Sequence, residues 1–472
     1  MPKNYSPWIH QLDKNRAIVR LTGDLQTDIA IVGAGIAGVS TAFFLLKYTD
    51  KKITLIDANR LAHGATGHNA GHVVTAFERR LIDMAAEFGE ELTAEGYKLM
   101  DGGWELLDEM YKDSTLDIAY LKFAGYGAIA NYEYFLGELL DNEYRRKYGL
   151  ETYDFFVSKN ATYLSQIPQK FRNDYKLVDD EFINKILENK NHDYSAMHSY
   201  RTGCINSALF CESVVNFLLK KYSDRFSLYE HTPIRKIVLR DGEALLDADT
   251  YTISSKKIVL CTNGFESIEI FNKSGLDIDT KFHHLVNGYI GYMSGYFEEL
   301  QEASVARYYI DLDGEDLEKN PFGEPYFYVT RRPFEYEPST TFLKEKVVLG
   351  EPKINHSIVC VGGPESELED RKEYDRDMPF PENVQVEIDT FVKKTLLNKE
   401  LEDVEYKFFW HGLMGYTPNR VRLIGCEPKN PALLYNLGCN GIGILPSIYG
   451  GKRISQIIAG EKLEPSIFDP KT

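Results

Sequence analysis

Cysteine is sparse in this chain and unpatterned. Its six residues, Cys204, Cys211, Cys261, Cys360, Cys426 and Cys439, include no Cys-x-x-Cys pair. That argues against a thiolate metal knot and a disulfide-stapled scaffold, and favours a reduced, cytoplasmic setting. The opening MPKNYSPWIHQLDKNR has no basic stretch followed by an apolar one, so no secretory signal is read there. No His-Glu-x-x-His, nucleophile elbow or cluster of histidines at ligand spacing occurs, and no metal is expected. Positive charge is short as well, with 54 Lys and Arg against 71 Asp and Glu, a net charge of −17. Such a surface repels nucleic acid and anionic membranes, so the 31 Tyr and 26 Phe read as core and sheet rather than a base-stacking platform. A long hydrophobic run is nearly present between Ile29 and Leu46, which carries no charge. Gly33, Gly35 and Gly38 interrupt it, so strand, tight turn and buried helix explain it better than a membrane span.

What is present is an ordinary globular balance, 43% hydrophobic and 26% charged over 472 residues, long enough for two lobes. Asp28 to Val32 reads as a first strand, about Gly35 to Tyr48 as a helix and Lys52 to Asp57 as a second strand. Apolar residues at three- and four-residue spacing predict helices from Phe77 to about Glu109. A helix from Cys211 to Tyr222, a strand pair around Ser227 to Leu239 and Glu243 to Thr252, and an apolar strand Lys257 to Cys261 return the βα character. Between Lys281 and about Phe409, the runs YIGYMSGY, PYFYVTRR, KVVLGEP and SIVCVGG predict an antiparallel sheet. The charge run ESELEDRKEYDRD at 365–377 reads as a solvated loop.

The strongest motif is DIAIVGAGIAGVS. Its Gly-x-Gly-x-x-Gly, at Gly33, Gly35 and Gly38, falls between strand and helix, and Asp57 ends the next strand. Glycines there permit a tight turn, close approach of backbone to a pyrophosphate and close helix packing, while the helix N-terminus stabilises negative charge and the carboxylate accepts from a ribose hydroxyl. The pattern predicts a bound dinucleotide.

Three further segments, DANRLAHGATGHNAGHVV, VLCTNGF at 259–265 and LGCNGIGILPSIYGGKRISQIIAG at 437–460, resemble in order the motifs of the D-amino-acid oxidase-like superfamily of FAD enzymes. The resemblance implies an α/β fold: a discontinuous Rossmann-like FAD-binding domain from 20–85, 200–275 and 405–472, and a mostly antiparallel-sheet α+β substrate domain from 86–199 and 276–404. Residues 1–19 would form an N-terminal arm. Carried over by position, Gly33, Gly35, Ile36 and Gly38 would face the pyrophosphate, and Asp57 and Ala58 the adenosine. Gly64, Ala65, Thr66, His68, Asn69, Ala70 and Gly71 would line the phosphate and ring side of FAD. Ile234 would meet the adenine, Cys261, Thr262 and Gly264 would line the cofactor, and Gly438, Asn440, Gly441, Ile442, Gly443 and Ile444 would close over the flavin ring.

His68 stands where many members have Arg and where dimethylglycine and sarcosine dehydrogenases use a histidine bonded to the flavin, so it is the candidate for a covalent link. WHGLMGYTPNRVRLIG (410–425) resembles the segment that enters the active site. Met414 stands where amino-acid oxidases often place an arginine for the substrate carboxylate, and Thr417 to Arg420 look closer to γ-glutamylputrescine oxidases. Arg331 or Arg332 is a replacement clamp from the second lobe, against the plainer reading of exposed strand-end charges. Tyr328 and Tyr416 are further substrate candidates, and His72 and His411 the candidate catalytic groups. The implied chemistry is oxidation of the C–N bond of a small amine or amino acid, with hydride transfer to flavin N5 and hydrolysis of the resulting imine. Electrons would pass to O2 or, in a dehydrogenase, to a protein or quinone acceptor; a non-catalytic FAD-binding protein is the reading from another class.

Overall fold

The strand–helix–strand unit is present. In a computed structural model, described at residues 4–190, 193–264, 268–282, 285–309, 326–336, 356–368, 374–396 and 404–470, strand Leu25–Val32 runs parallel to both Ile53–Ile56 and Tyr251–Leu260. Its last four residues are buried, as expected of a parallel strand covered on both faces. Helix Ile36–Tyr48 is buried continuously from Ile36 to Leu46, which accounts for the uncharged run. It packs against the last helix, Ile444–Ala459. Their backbones approach so closely that a Cβ on Gly451 would lie 2.7 Å from the carbonyl carbon of Ser40.

Among the described residues two sheets form. The first orders Glu269–Asn272, Lys236–Arg240, Glu243–Ala248, Tyr251–Leu260, Leu25–Val32, Ile53–Ile56 and Phe226–Tyr229. Leu433–Leu437 adds to the C-terminal end of Tyr251–Leu260 through Ile258 to Leu260. The strand expected over Ser227 to Leu239 is in fact two, far apart in this sheet, because Pro233 breaks the run between them. The second sheet orders Tyr406–Tyr416, Asn287–Glu299, His356–Leu368, Tyr326–Phe334, Ser304–Tyr309, Tyr120–Ile129, Ala196–Ile205, Asp154–Ser158 and Tyr175–Val178. It is antiparallel save for two parallel pairings, the mixed architecture expected. His72–Val74, Ala196–Ile205 and Tyr406–Tyr416 all pair in this second sheet, although residues 20–85, 200–275 and 405–472 were assigned to the cofactor lobe. Pairing between strands distant in sequence decides this. KVVLGEP lies outside the described residues, as do residues 369–373 of the charge run. Glu365 to Leu368 of that run complete a strand rather than a loop.

On the face of the second sheet that carries Thr202 and Arg332, Glu138 lies against His198, with Oε2 3.5 Å from Nδ1. Burial, then the Asp141 carboxylate, pushes the Glu138 carboxyl up to about 7, and burial holds His198 well below its ordinary value. The pair is therefore neutral in weak acid. The unfolded chain gives up the Glu138 proton near 4.5 and the folded one near 7, so the contribution of Glu138 to stability falls by about 3 kcal/mol as pH rises through that window, against an opposite contribution from His198, whose lowered pKa makes stability rise with pH. Glu138→Gln is expected to flatten this slope and to exceed the parent in stability at pH 8. Denaturant melts of both proteins at pH 5 and pH 8 measure it, and equal slopes would refute it.

Candidate active site

Gly33, at φ +102°, turns the chain at the end of the first strand, a conformation that disfavours any side chain. A Cβ there would lie 2.5 Å from the Cys261 carbonyl oxygen, so Cys261 and Thr262 close against the turn. A Cβ on Gly38 would overlap the Gly33 carbonyl oxygen, and one on Gly35 would lie 2.8 Å from Thr66 Oγ1. The Ile36 amide, expected to face a pyrophosphate, donates to Thr66 Oγ1 at 2.9 Å, since a first-turn N–H seeks an acceptor outside the helix. Asp57 accepts from the Ala34 and Asn59 amides at 2.7 and 2.8 Å. Its two oxygens keep lone pairs for a ribose hydroxyl. The Thr232 amide donates to the Asp57 carbonyl at 2.9 Å, which sets buried Ile234 beside the same end of the cradle. Exposed Ala58 lies next in the chain.

The second glycine loop is braced from the N-terminal arm. Ser6 Oγ donates to the Gly67 carbonyl and the Trp8 indole to that of Asn69. Asn69 Oδ1 accepts from the Gly71 amide at 2.7 Å, and the Ala70 carbonyl accepts from Thr330 at 3.3 Å. His68 Nδ1 lies 2.9 Å from the Gly64 carbonyl. A carbonyl only accepts, so Nδ1 carries the hydrogen and Nε2 the lone pair. Burial drives the His68 pKa down to about 3, keeping the ring neutral.

The C-terminal turn is wound through Gly438 at φ +79°, Asn440 at +46° and Gly441 at +73°. Asn440 Oδ1 accepts from the Thr417 amide at 2.8 Å, and the Cys439 amide donates to Asn263 Oδ1 at 2.9 Å. This ties the turn to the strand-end segment that contains Gly264. Helix Ile444–Ala459 starts just beyond, two residues before the expected Pro446, with Gly443 as its N-cap. The Ile442 amide is taken by the Cys439 carbonyl at 3.0 Å, whereas the amides of Ile444 and Leu445 have no acceptor within their own helix. Arg422, buried with no carboxylate partner among the described residues, donates to Asn436 Oδ1, the Asn436 carbonyl and the Gly438 carbonyl at 2.6, 2.8 and 3.2 Å. Burial pushes its pKa down to about 10.

Strand parity sorts the remaining candidates. In Tyr406–Tyr416, side chains alternate faces. Gly412 backs onto His68, Met414 touches Gly291, and Tyr416 reaches Gly441 on one face. His411 takes the other, where the Met378 carbonyl accepts from Nε2 at 3.1 Å and Nδ1 lies 3.3 Å from the Tyr374 hydroxyl. Its candidacy as a catalytic group gives way to bracing the arm and the 374–378 segment. In Tyr326–Phe334, Tyr328, Thr330 and Arg332 face inward. Arg331 faces outward, with Nη1 2.6 Å from Glu188 Oε1 and Nε 3.0 Å from Glu298 Oε2, so it is neither an exposed charge nor a substrate clamp. Arg332 is buried over the Trp8 ring at 3.5 Å and donates to the Ile205 carbonyl at 2.6 Å.

The inward faces converge on a cleft at Gly441 that is open to solvent. A Cβ on Gly441 would lie 2.9 Å from both Glu78 Oε1 and Tyr416 Oη, and Tyr416 Oη donates to Glu365 Oε2 at 3.4 Å. Arg420 lies over the Tyr416 ring at 4.7 Å, and Tyr289 packs edge-on to it at 4.8 Å. Glu365 is reached by solvent yet enclosed by protein; burial, then Glu78, pushes its carboxyl up to about 7, against a lowering pull from Arg420. Burial, followed by Glu365 and Glu78, holds the Tyr328 phenol well above 10. His72 Nε2 lies 2.6 Å from Thr202 Oγ1, which itself donates to the Val73 carbonyl, so Nε2 is the donor and Nδ1 keeps the lone pair. Burial, then Arg307, lowers its pKa to about 3. Glu78 and Glu365 were not among the sequence candidates: Glu365 sits in the charge run, and Glu78 just beyond the second glycine loop.

A nucleotide-type βαβ turn, a second glycine loop and a polar sheet face meeting at one cleft define a dinucleotide-dependent oxidoreductase. The chain matches the family model for FAD dependent oxidoreductases, DAO, over residues 28–457 and belongs to that family. It is 20% identical over 267 residues to a probable oxidoreductase, OrdL, of Haemophilus influenzae, covering 57% of this chain and 54% of that protein. It is 26% identical over 100 residues to gamma-glutamylputrescine oxidoreductase of Escherichia coli, covering 21% of this chain and 23% of that one. The chain thus aligns with about half of one curated relative and a quarter of the other. L-proline dehydrogenase from P. horikoshii shares the fold at a TM-score of 0.64 and 13% identity, over 94% of this chain and 97% of its own. The cradle at Gly33, Gly38 and Asp57 fits FAD. No described helix is long and apolar enough to cross a membrane.

Proposed function

We propose that the chain oxidises the C–N bond of a small amine or amino acid held between the C-terminal turn and the inner face of the second sheet. The observation that carries this reading is the meeting of Glu78, Tyr416 and Glu365 at Gly441, polar groups brought together at the turn resembling the family's flavin-closing segment. The first glycine turn with Asp57 would hold the nucleotide of FAD, and the Thr66 to Gly71 loop with the C-terminal turn its ring. FAD, when bound, supplies the two-electron acceptor for the hydride leaving the substrate carbon. The chain's own residues bind, orient and dehydrate the substrate. The Tyr328 phenol stays protonated and offers a hydrogen bond, and neutral His72 offers an acceptor at Nδ1. The imine left behind is hydrolysed by water. The name of the E. coli relative, which gives gamma-glutamylputrescine as what that protein acts on, accords with the amine reading.

Mixing the FAD-loaded protein anaerobically with a panel of small amines and amino acids tests this. Bleaching of the flavin by at least one of them is expected; none across the panel would overturn the reading. Oxygen uptake during turnover would make dioxygen the acceptor, and turnover with an artificial acceptor alone would make the chain a dehydrogenase. His68, neutral with its lone pair on Nε2, has the nucleophilic nitrogen that a covalent flavin link uses. On that reading the yellow colour stays in the pellet on acid precipitation and moves to the supernatant in His68→Ala. Colour in the wild-type supernatant would reduce His68 to a loop residue.

A further inference from the structure

The N-terminal arm meets the second glycine loop at the two carbonyls that flank His68. Ser6 Oγ donates to the Gly67 carbonyl while accepting from the Ile9 amide at 3.2 Å, so one hydroxyl both caps helix Pro7–His10 and holds the loop. The Trp8 indole donates to the Asn69 carbonyl, and its ring, wholly buried, lies against the Arg332 guanidinium at 3.5 Å. A Cβ on Gly67 would overlap Ile9 Cδ1, and one on Gly71 would overlap that guanidinium. From Gly64 to Gly71 the loop has one three-residue turn, Ala65–Gly67, and enters no strand. Its carbonyls therefore need donors from elsewhere, because a buried carbonyl left without one is costly. Ser207 serves Thr66, Thr330 serves Ala70 and the Ile205 amide serves Gly71; the arm serves Gly67 and Asn69. The arm is itself anchored on both sides of the loop. The Tyr5 amide donates to the Phe409 carbonyl at 2.8 Å, and His10 Nε2 to that of Tyr336 at 2.6 Å, both on the second sheet's side. On the other side Asn206 Nδ2 donates to the Trp8 carbonyl at 3.2 Å, and Arg16 pairs with Glu230, whose Oε1 also accepts from the Leu61 amide at 2.7 Å.

We propose that Trp8 and Ser6 are positioning residues for the cofactor: the docked arm holds the Gly67 to Gly71 backbone in the shape that receives FAD, so that arm docking and FAD binding are coupled. Such coupling is reciprocal. If the docked arm tightens FAD binding by some factor, bound FAD holds the arm in place by the same factor. The coupling concerns how the cofactor is kept and is independent of which bond the chain oxidises.

Hydrogen exchange on the parent protein, full length, is the first test and needs no variant. Exchange of the backbone amides of residues 4–12 is compared in the apoprotein and the FAD-loaded protein. FAD is expected to slow it about tenfold, while strand Tyr175–Val178, at the far edge of the second sheet, exchanges alike in both. The second test titrates apoprotein with FAD and follows flavin fluorescence. Trp8→Phe, which keeps an aromatic ring beside Arg332 but has no N–H for Asn69, is expected to bind FAD about tenfold more weakly than the parent. Ser6→Ala, which removes the donor to Gly67, is expected to do the same. Melting with and without FAD separates positioning from packing. A Trp8 that only packs would lower both midpoints together and leave the rise conferred by FAD unchanged; a positioning Trp8 makes that rise smaller in Trp8→Phe. Arm exchange indifferent to FAD would overturn the proposal. So would both variants binding FAD as the parent does, or an unchanged rise in melting midpoint.

Discussion

Replacing Gly38 with alanine is expected to yield a colourless protein. The added methyl would overlap the Gly33 carbonyl oxygen and come within 3.1 Å of Leu55 Cδ1. Neither neighbour can give way freely: Gly33 is held at φ +102° by the turn itself, and helix Ile36–Tyr48 is packed on every side. The helix must therefore lift from the turn, and the amides at its N-terminus move from where a pyrophosphate would lie. Overpacking of this kind costs about 1–3 kcal/mol. Because the strain falls on the binding turn, FAD affinity is expected to drop about a hundredfold, measured by flavin fluorescence quenching during titration of the apoprotein. Gly23→Ala, where nothing lies within 4 Å of the new carbon, serves as the control. Equal affinities for the two variants would refute this account of the cradle.

Arg422→Ala is expected to lower stability by about 4 kcal/mol, among the largest single-residue effects in the chain. The buried guanidinium serves three acceptors on Asn436 and Gly438, and each buried acceptor left without a donor costs about 1–3 kcal/mol. The loss spreads through Asn436, whose amide nitrogen bonds Thr41 on the first buried helix and the Ser447 carbonyl on the last. Because burial lowers the Arg422 pKa from its ordinary value to about 10, the unfolded chain holds this proton more tightly than the folded one. Both are charged at pH 7, so the residue adds no pH dependence until the pH exceeds about 10. A chemical denaturation midpoint, read beside Arg240→Ala on an exposed strand end, measures the effect. A shift no larger than that of the control would show that water replaces the guanidinium.

The cofactor cradle was legible because its chemistry is local. Glycine spacing, flanking strand and helix, and Asp57 all lie within one βαβ unit, and backbone geometry alone requires those residue types. The substrate cleft depends instead on strand parity across a sheet assembled from distant segments. Arg331 and Arg332 are adjacent in sequence and opposite in fate: one is ion-paired on the outer face, the other buried under Trp8. His411 lies beside Gly412 and turns away from the cleft for the same reason. Glu365 was hidden by its company, since a run dense in charge reads as solvated unless the strand's end within it is known. Periodicity found the helices of residues 77–109, present as Leu81–Phe88, Glu90–Asp101 and Gly103–Asp113.

The contact between helix Ile36–Tyr48 and helix Ile444–Ala459, fixed by Gly451 against Ser40, bears on when the protein becomes competent for its cofactor. The first of these helices is translated well before the one that covers it, which lies at Ile444–Ala459. Until then its apolar flank must be shielded by nascent neighbours or by chaperones. Closing so long a loop is slow relative to local helix formation. The packed form of the first glycine turn's helix is therefore complete only once the last helix has been translated.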